Sequence, residues 1–227
     1  GVVSLVLQAN PRLGWRDVQD ILALSAAPTG GDPGWITNAA STWNGGGMRF
    51  SRDYGFGLVD ARAAVRLAET WTAQSTSGNE RSETIAATVA AAIPDGTGAA
   101  VTSAVTMTQS IRVDRAEVTL DLNHARVGDL VVTLTAPSGT AVPLLARLGG
   151  GGATAPAQTL VFTTTANAFR GENGNGVWRL TVTDAATGLS GVLSGWTLTL
   201  TGDSAGADQR YVRSEEHTSE LQSRLHL

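Results

Sequence analysis

Residues 176–202 read GVWRLTVTDAATGLSGVLSGWTLTLTG. Apolar Trp178, Leu180 and Val182 alternate with Arg179, Thr181 and Thr183. After a Gly- and Ser-bearing break, Trp196, Leu198 and Leu200 alternate with Thr197, Thr199 and Thr201. A period of two is the pattern of a strand with one face on a core and one in water. Trp178 and Trp196 therefore face the core, where each buries about 150–250 Å2.

The same texture continues on the N-terminal side. Residues 104–113, 115–124, 129–137, 141–147 and 159–166 are further strand-like runs rich in Thr, Val and Leu. Turn chemistry separates them: Pro137-Ser138-Gly139, the GGGGA stretch at 149–153, Gly171 to Gly176, and Gly188 to Gly195. Short alternating strands at this spacing predict an all-β sandwich or jelly roll over residues 85–202. Residues 72–84, TAQSTSGNERSET, are polar and read as a linker.

Residues 1–71 have a different periodicity. An apolar run, Val2 to Leu7, reads as a helix that stops at Asn10-Pro11, because the residue before proline is pushed out of the helical region. Trp15 to Leu24 predicts a second helix, with Val18, Ile21, Leu22 and Leu24 as its apolar stripe and Asp17 near its positive N-terminus. Residues 61–71 predict a third, with Ala61, Ala64, Val65 and Ala68 on one side and Asp60 as its N-cap. Gly- and Trp-rich irregular chain lies between the second and third.

Composition excludes several classes. The 227 residues carry a formal net charge of -4 with no basic patch, which argues against nucleic acid. No apolar stretch approaches the ~18 residues of a membrane span. Cysteine is absent, so disulfides, thiolate chemistry and Cys-ligated metals are excluded in this chain. All sixteen basic residues are Arg, which with the abundance of Ala and Gly points to a GC-rich bacterial genome.

These stretches carry a resemblance. GVVSLVLQANPRLGWRDVQDILALSA is similar to the helix pair that follows the catalytic serine in kexin/furin-type subtilases. Residues 35–71, with the distinctive YGFGLVDA, resemble the end of the same catalytic domain. HARVGDLVVTLTAPSGT, the Gly171-Glu172 turn and residues 176–202 resemble the P/Homo B domain that follows it. The resemblance implies a multidomain protein: the C-terminal part of an α/β subtilisin-like domain at residues 1–71, then an all-β jelly-roll P domain at 85–202. It implies a secreted serine endopeptidase of proprotein-convertase type, whose P domain stabilises the catalytic domain by packing on it. A β-sandwich adhesion or binding module without protease activity is the alternative, and residues 1–71 argue against it.

Hydrolysis in this family needs an Asp, a His, a Ser and an oxyanion-holding Asn in one geometry. The resemblance places all four upstream of Gly1, so no catalytic residue is expected here. The available candidates read as structural. His124 is a hydrogen-bonded histidine at a strand end. Ser4 and Ser25 lie on or near helices with no histidine in reach. Asp17 and Asp60 are helix-start residues, Asp184 closes a strand, and Asn38 falls in a loop after the serine in family order. The resemblance also implies calcium for the full-length protein, through loops upstream, and no cofactor or metal site within this chain. Asp129, Glu172 and Asp184 are loop carboxylates read as satisfied turn residues, with Glu172 the one to watch as a ligand. The expected partners are the upstream part of the same catalytic domain and protein substrates.

Residues 203–227 lose the pattern and read as a disordered tail. RSEEHTSELQS, residues 213–223, resembles the translation of a sequencing-library adapter, so His217 and His226 are not counted as ligands.

Overall fold

In the computed structural model, the residues described are 1–31, 34–41, 46–72, 75–96, 99–146 and 158–204. The alternation at 176–202 resolves into β9 (Gly176–Asp184) and β10 (Gly191–Ser204). They join β3 (Glu80–Ile93), β4 (Ala100–Met107), β5 (Ile111–His124), β6 (Leu130–Thr135), β7 (Ala141–Ala146) and β8 (Gln158–Ala166). Two antiparallel four-stranded sheets result, in the orders β3-β10-β5-β8 and β4-β9-β6-β7. Counting these eight strands in chain order, one sheet reads 1-8-3-6 and the other 2-7-4-5, which is the jelly-roll arrangement. The two inner faces supply the core. Trp178 and Phe169 are wholly buried and meet edge to face with ring centroids 5.0 Å apart. Both buried indoles find an acceptor: Trp178 Nε1 donates to Gly174 O at 2.8 Å and Trp196 Nε1 to Ser103 Oγ at 2.9 Å.

The strand pattern differs from the sequence reading in three places. β3 occupies residues 80–93, overlapping the stretch read as linker. Alanine stands on both of its faces, Ala87 and Ala91 inward beside Ile85 and Val89, and Ala86, Ala90 and Ala92 outward with Thr84 and Thr88, which hides a strand from periodicity. Residues 104–113 are not one strand but the end of β4, a turn and the start of β5. Glu83 on β3 holds that turn: its carboxylate accepts from Thr108 N, Gln109 N and Thr108 Oγ1. β10 also continues past 202, and Asp203, read as the start of the tail, is buried. Its charge is tolerated there because it is paired, as described below. The rest of that tail, including 213–223, His217 and His226, lies outside the described residues, as does the 149–153 turn.

The helices form a second, smaller core. Helices α1 (Val2–Ala9), α2 (Trp15–Ser25) and α3 (Ala61–Thr70) bury Val6, Leu13, Val18, Ile21, Ala64, Leu67, Ala68 and Trp71 against one another. Asp60 caps α3 by accepting from Ala63 N at 2.9 Å. Between α2 and α3 lies a two-stranded ribbon, β1 (Ile36–Thr37) and β2 (Arg49–Phe50). The helical region leaves large apolar side chains in water: Val3, Leu5 and Leu7 on α1, Trp15 on α2, and Tyr54, Leu58 and Val59 before α3.

Candidate functional site

The chemistry-bearing side chains of this chain converge where the helices meet the sandwich. Arg16, on the first turn of α2, has no exposed surface. Its Nε donates to Asp114 Oδ2 at 2.6 Å, and its Nη1 donates to Thr76 O and Asn79 Oδ1, both at 3.1 Å. Its Nη2 lies 3.3 Å from Asp203 Oδ2 but without hydrogen-bond geometry, so that pair is a charge contact. Arg112 on β5 grips the same Asp203 with two bonds, Nε to Oδ1 at 2.9 Å and Nη2 to Oδ2 at 2.6 Å. Arg170, in the β8–β9 loop, donates to Asp20 Oδ1 on α2 at 2.7 Å and to Gln19 Oε1 at 3.1 Å. Three guanidiniums thus face three carboxylates, Asp20, Asp114 and Asp203. The match in charge is what makes the burial bearable.

Local backbone geometry aims these groups. The β5–β10 register steps from Val113↔Gly202 to Arg115↔Thr201, leaving Asp114 opposite nothing. Such a bulge redirects a side chain out of the alternation, here toward α2. On α2, Asp17 sits three residues past the N-cap Gly14 and its Oδ2 accepts from Gly14 N. Its Oδ1 accepts from Trp71 Nε1 at 3.0 Å and Ser75 N at 3.1 Å, tying the end of α3 and the chain into β3 to the start of α2. Burial pushes the Asp20 carboxyl above its ordinary value, opposed by the Arg170 charge and reinforced by Asp114. Arg112 moves upward: burial works against its charge, but the bond to Asp203 and the surrounding carboxylates outweigh it.

A second group of contacts is polar and neutral. Asn38, 4% exposed, follows β1 and uses its whole amide. Nδ2 donates to Ala168 O and Arg170 O, each at 2.8 Å, and Oδ1 accepts from Met48 N at 2.7 Å and Ala40 N at 3.1 Å. Next to it, Glu172 accepts from Ala39 N at 3.0 Å and Ser138 Oγ at 2.6 Å, joining the loop after β1 to the β6–β7 turn. Gly171 has φ of 81°, and a Cβ there would stand 2.9 Å from Ala40 Cβ. Glycine is what lets the two segments close together.

The other candidates lie apart from this junction. His124, at the end of β5, is buried with Asp184 at the end of β9. Arg126 N donates to His124 Nδ1 at 3.0 Å, so Nε2 carries the proton toward Asp184 Oδ2, 3.2 Å away. Among the described residues no hydroxyl is bonded to His124. Asp184 also accepts from Ala186 N, and Asp129 pairs with Arg126 at 3.2 Å. Ser4 is exposed on α1, and Ser25 Oγ reaches Leu22 O at 3.5 Å within its own helix. Glu172 and Asp184 are thus committed to protein donors and Asp129 to an ion pair with Arg126, a poor fit to the six to eight oxygens calcium takes. Among the described residues no three His, Asp or Glu gather as a metal site. No helix there is long and apolar enough to cross a membrane.

Sequence reasoning missed the junction. Its signal lies in residues 111–114, Ile-Arg-Val-Asp, where two charges stand in the one stretch of β5 that is buried on both faces, before the strand turns to alternation. A charge on the outer face of a sheet is buried only if another layer covers it.

Comparison with known proteins agrees with this architecture. Residues 113–200 match the family model of the proprotein convertase P-domain. The extracellular serine protease of Aeromonas sobria is 32% identical over 83% of this chain and 34% of its own length. The human proprotein convertase subtilisin/kexin type 6 is 35% identical over 65% of this chain and 15% of its own length. The crystal structure of the Aeromonas protease in complex with its chaperone superposes with a TM-score of 0.78 at 27% identity, covering 90% of this chain and 42% of that one. The chain therefore spans about a third of the length of the Aeromonas relative.

Proposed function

Because the chain belongs to the kexin/furin-type subtilisin-like serine proteases, we propose that it supplies the end of a protease domain and the P domain that steadies it, within a secreted endopeptidase. In this reading residues 1–71 belong to the α/β catalytic domain and residues 85–202 are the P domain, with 72–84 between them. The apolar side chains that α1 exposes, Val3, Leu5 and Leu7, pack on the remainder of that domain. The hydrolytic groups, and the calcium that the family implies, belong to the length of the relatives that this chain does not span. Residues 1–227 are then inactive by themselves.

The observation that carries the reading is the junction. Arg16, Asp20 and Asn38 of the helical region are buried and paired with groups of β5, β10 and the β8–β9 loop. An independent adhesion module has no use for such a docked helical layer. Two measurements test it. The purified chain should neither cleave dibasic peptides nor react with a fluorophosphonate, and stoichiometric labelling of any serine contradicts its inactivity. In limited proteolysis, residues 1–71 should be lost before the β region. Survival of 1–71 with loss of the sandwich contradicts the supporting role.

A further inference from the structure

We infer that a groove beside the junction docks a segment of another protein, one that sets an apolar side chain next to a carboxylate. The groove has a volume of about 510 Å3, inside the range of about 300–1,000 Å3 usual for binding clefts. Its apolar wall is Trp15 and Leu22 of α2 with Phe56 and Val59 from the chain before α3. The sandwich supplies a polar wall: Arg115 of β5, Thr165 of β8, and Asn167 and Arg170 just beyond it. Trp15 and Val59 are 52% and 53% exposed. Large apolar side chains that keep half their surface in water beside a polar rim mark a surface for association.

Charge selects the occupant. Among the described residues that line the groove there are two arginines and no carboxylate, in a chain of net charge -4. Arg170 is spent, because it donates to Asp20 and Gln19. Arg115 is not. Its side chain is 34% exposed, and the carboxylate beside it is Glu117, with Nε to Oε2 at 3.7 Å, beyond hydrogen-bond reach. Among the described residues the Arg115 guanidinium makes no hydrogen bond, so its planar fork can take a carboxylate with two parallel bonds. An apolar wall facing that fork fits an apolar anion. A peptide segment fits better than a small molecule, because half-exposed Trp15 and Val59 leave the groove open, whereas small-molecule sites enclose most of their ligand. Trp and Arg are also the side chains that carry most energy at protein interfaces. The inference rests on side chains of this chain alone and does not depend on its being part of a protease.

The test is isothermal titration calorimetry of the full chain with two hexapeptides, Gly-Ser-Leu-Phe-Glu-Gly and Gly-Ser-Glu-Phe-Leu-Gly. Both are acetylated and amidated, so that glutamate is their one carboxylate. Support is saturable binding of at least one of them. Arg115→Glu should then weaken it at least about tenfold, and Trp15→Ser about fivefold or more. Glu117→Gln, which removes the carboxylate that competes for Arg115, should tighten it about two- to fivefold. A variant damaged in folding cannot give that gain. No saturable binding of either peptide overturns the inference, as does unchanged affinity in Arg115→Glu or weaker binding to Glu117→Gln. Decanoate that binds as tightly as the peptide and displaces it overturns it too, because the groove then takes a fatty acyl chain.

Discussion

Asn38→Ala is the sharpest perturbation of the junction. It deletes four hydrogen bonds made by a side chain 4% exposed. The N–H groups of Ala40 and Met48 lose their acceptor, and the carbonyls of Ala168 and Arg170 lose a donor. A buried group left unpaired costs about 1–3 kcal/mol, and a carbonyl with two lone pairs suffers least. Taking about 1–2 kcal/mol for each N–H and about 0.5 kcal/mol for each carbonyl gives about 3–5 kcal/mol. For a chain of this size that corresponds to a Tm lower by about 6–20 °C. Urea unfolding of the full chain, followed by tryptophan fluorescence and far-UV circular dichroism, reads it as a lower midpoint with an unchanged m-value. Asn38→Asp supplies the internal control. It keeps the acceptors but turns a carboxylate toward two carbonyls, so it costs at least as much at pH 7. Its folded-state pKa lies above the unfolded one, so its stability recovers as the pH falls from 7 toward 4 and a hydroxyl donor returns. A loss below about 1 kcal/mol for Asn38→Ala, or full stability of Asn38→Asp at pH 7, refutes the reasoning.

Arg16→Met removes the cation bonded to buried Asp114, leaving Asp203 to Arg112 alone, and should cost about 3–5 kcal/mol in the same urea titration; a neutral effect would mean the cluster is solvated. Trp178→Ala removes the largest buried side chain of the sandwich and its contact with Phe169, and should cost about 3–5 kcal/mol, read from the midpoint of the β-sheet signal. Glu83 is held below its ordinary pKa: burial opposes the shift, but bonds from Gln109 N, Thr108 N and Thr108 Oγ1 prevail. Its stabilisation is present above pH 4.5 and is lost as the pH falls through the lower folded value. Glu83→Gln should therefore flatten the dependence of Tm on pH below about 4.5, and an unchanged acid limb would contradict the clamp on the β4–β5 turn.

The legible parts of the sequence are those where periodicity and burial agree. Trp178, Leu180, Val182 and Trp196, Leu198, Leu200 alternate cleanly because one face of each strand meets the core and the other meets water, and the sandwich follows. β3 was not legible, because alanine occupies both of its faces and blurs the contrast that Ile85 and Val89 would otherwise give. The junction was hidden for another reason. Arg16, Asp114, Arg170 and Asp203 come from four separate stretches, and only their meeting explains why four charges are buried. Read one at a time, each looks like an ordinary surface charge. Asp203 sits two residues past the last Thr-Leu alternation, where texture alone says that structure has stopped.

The contact between Arg16 and Asp203 also sets a schedule for synthesis. The two residues are about 190 positions apart in the chain. At about 5–20 residues per second, a ribosome that has placed α2 needs about 10–40 s more to deliver the end of β10. Through that interval Arg16 and Asp20 stand in water and the helices lack the surface that covers them. The helical layer cannot finish until β10 arrives, so truncations that remove the end of β10 should be seen first as failures of α2, far upstream of the cut.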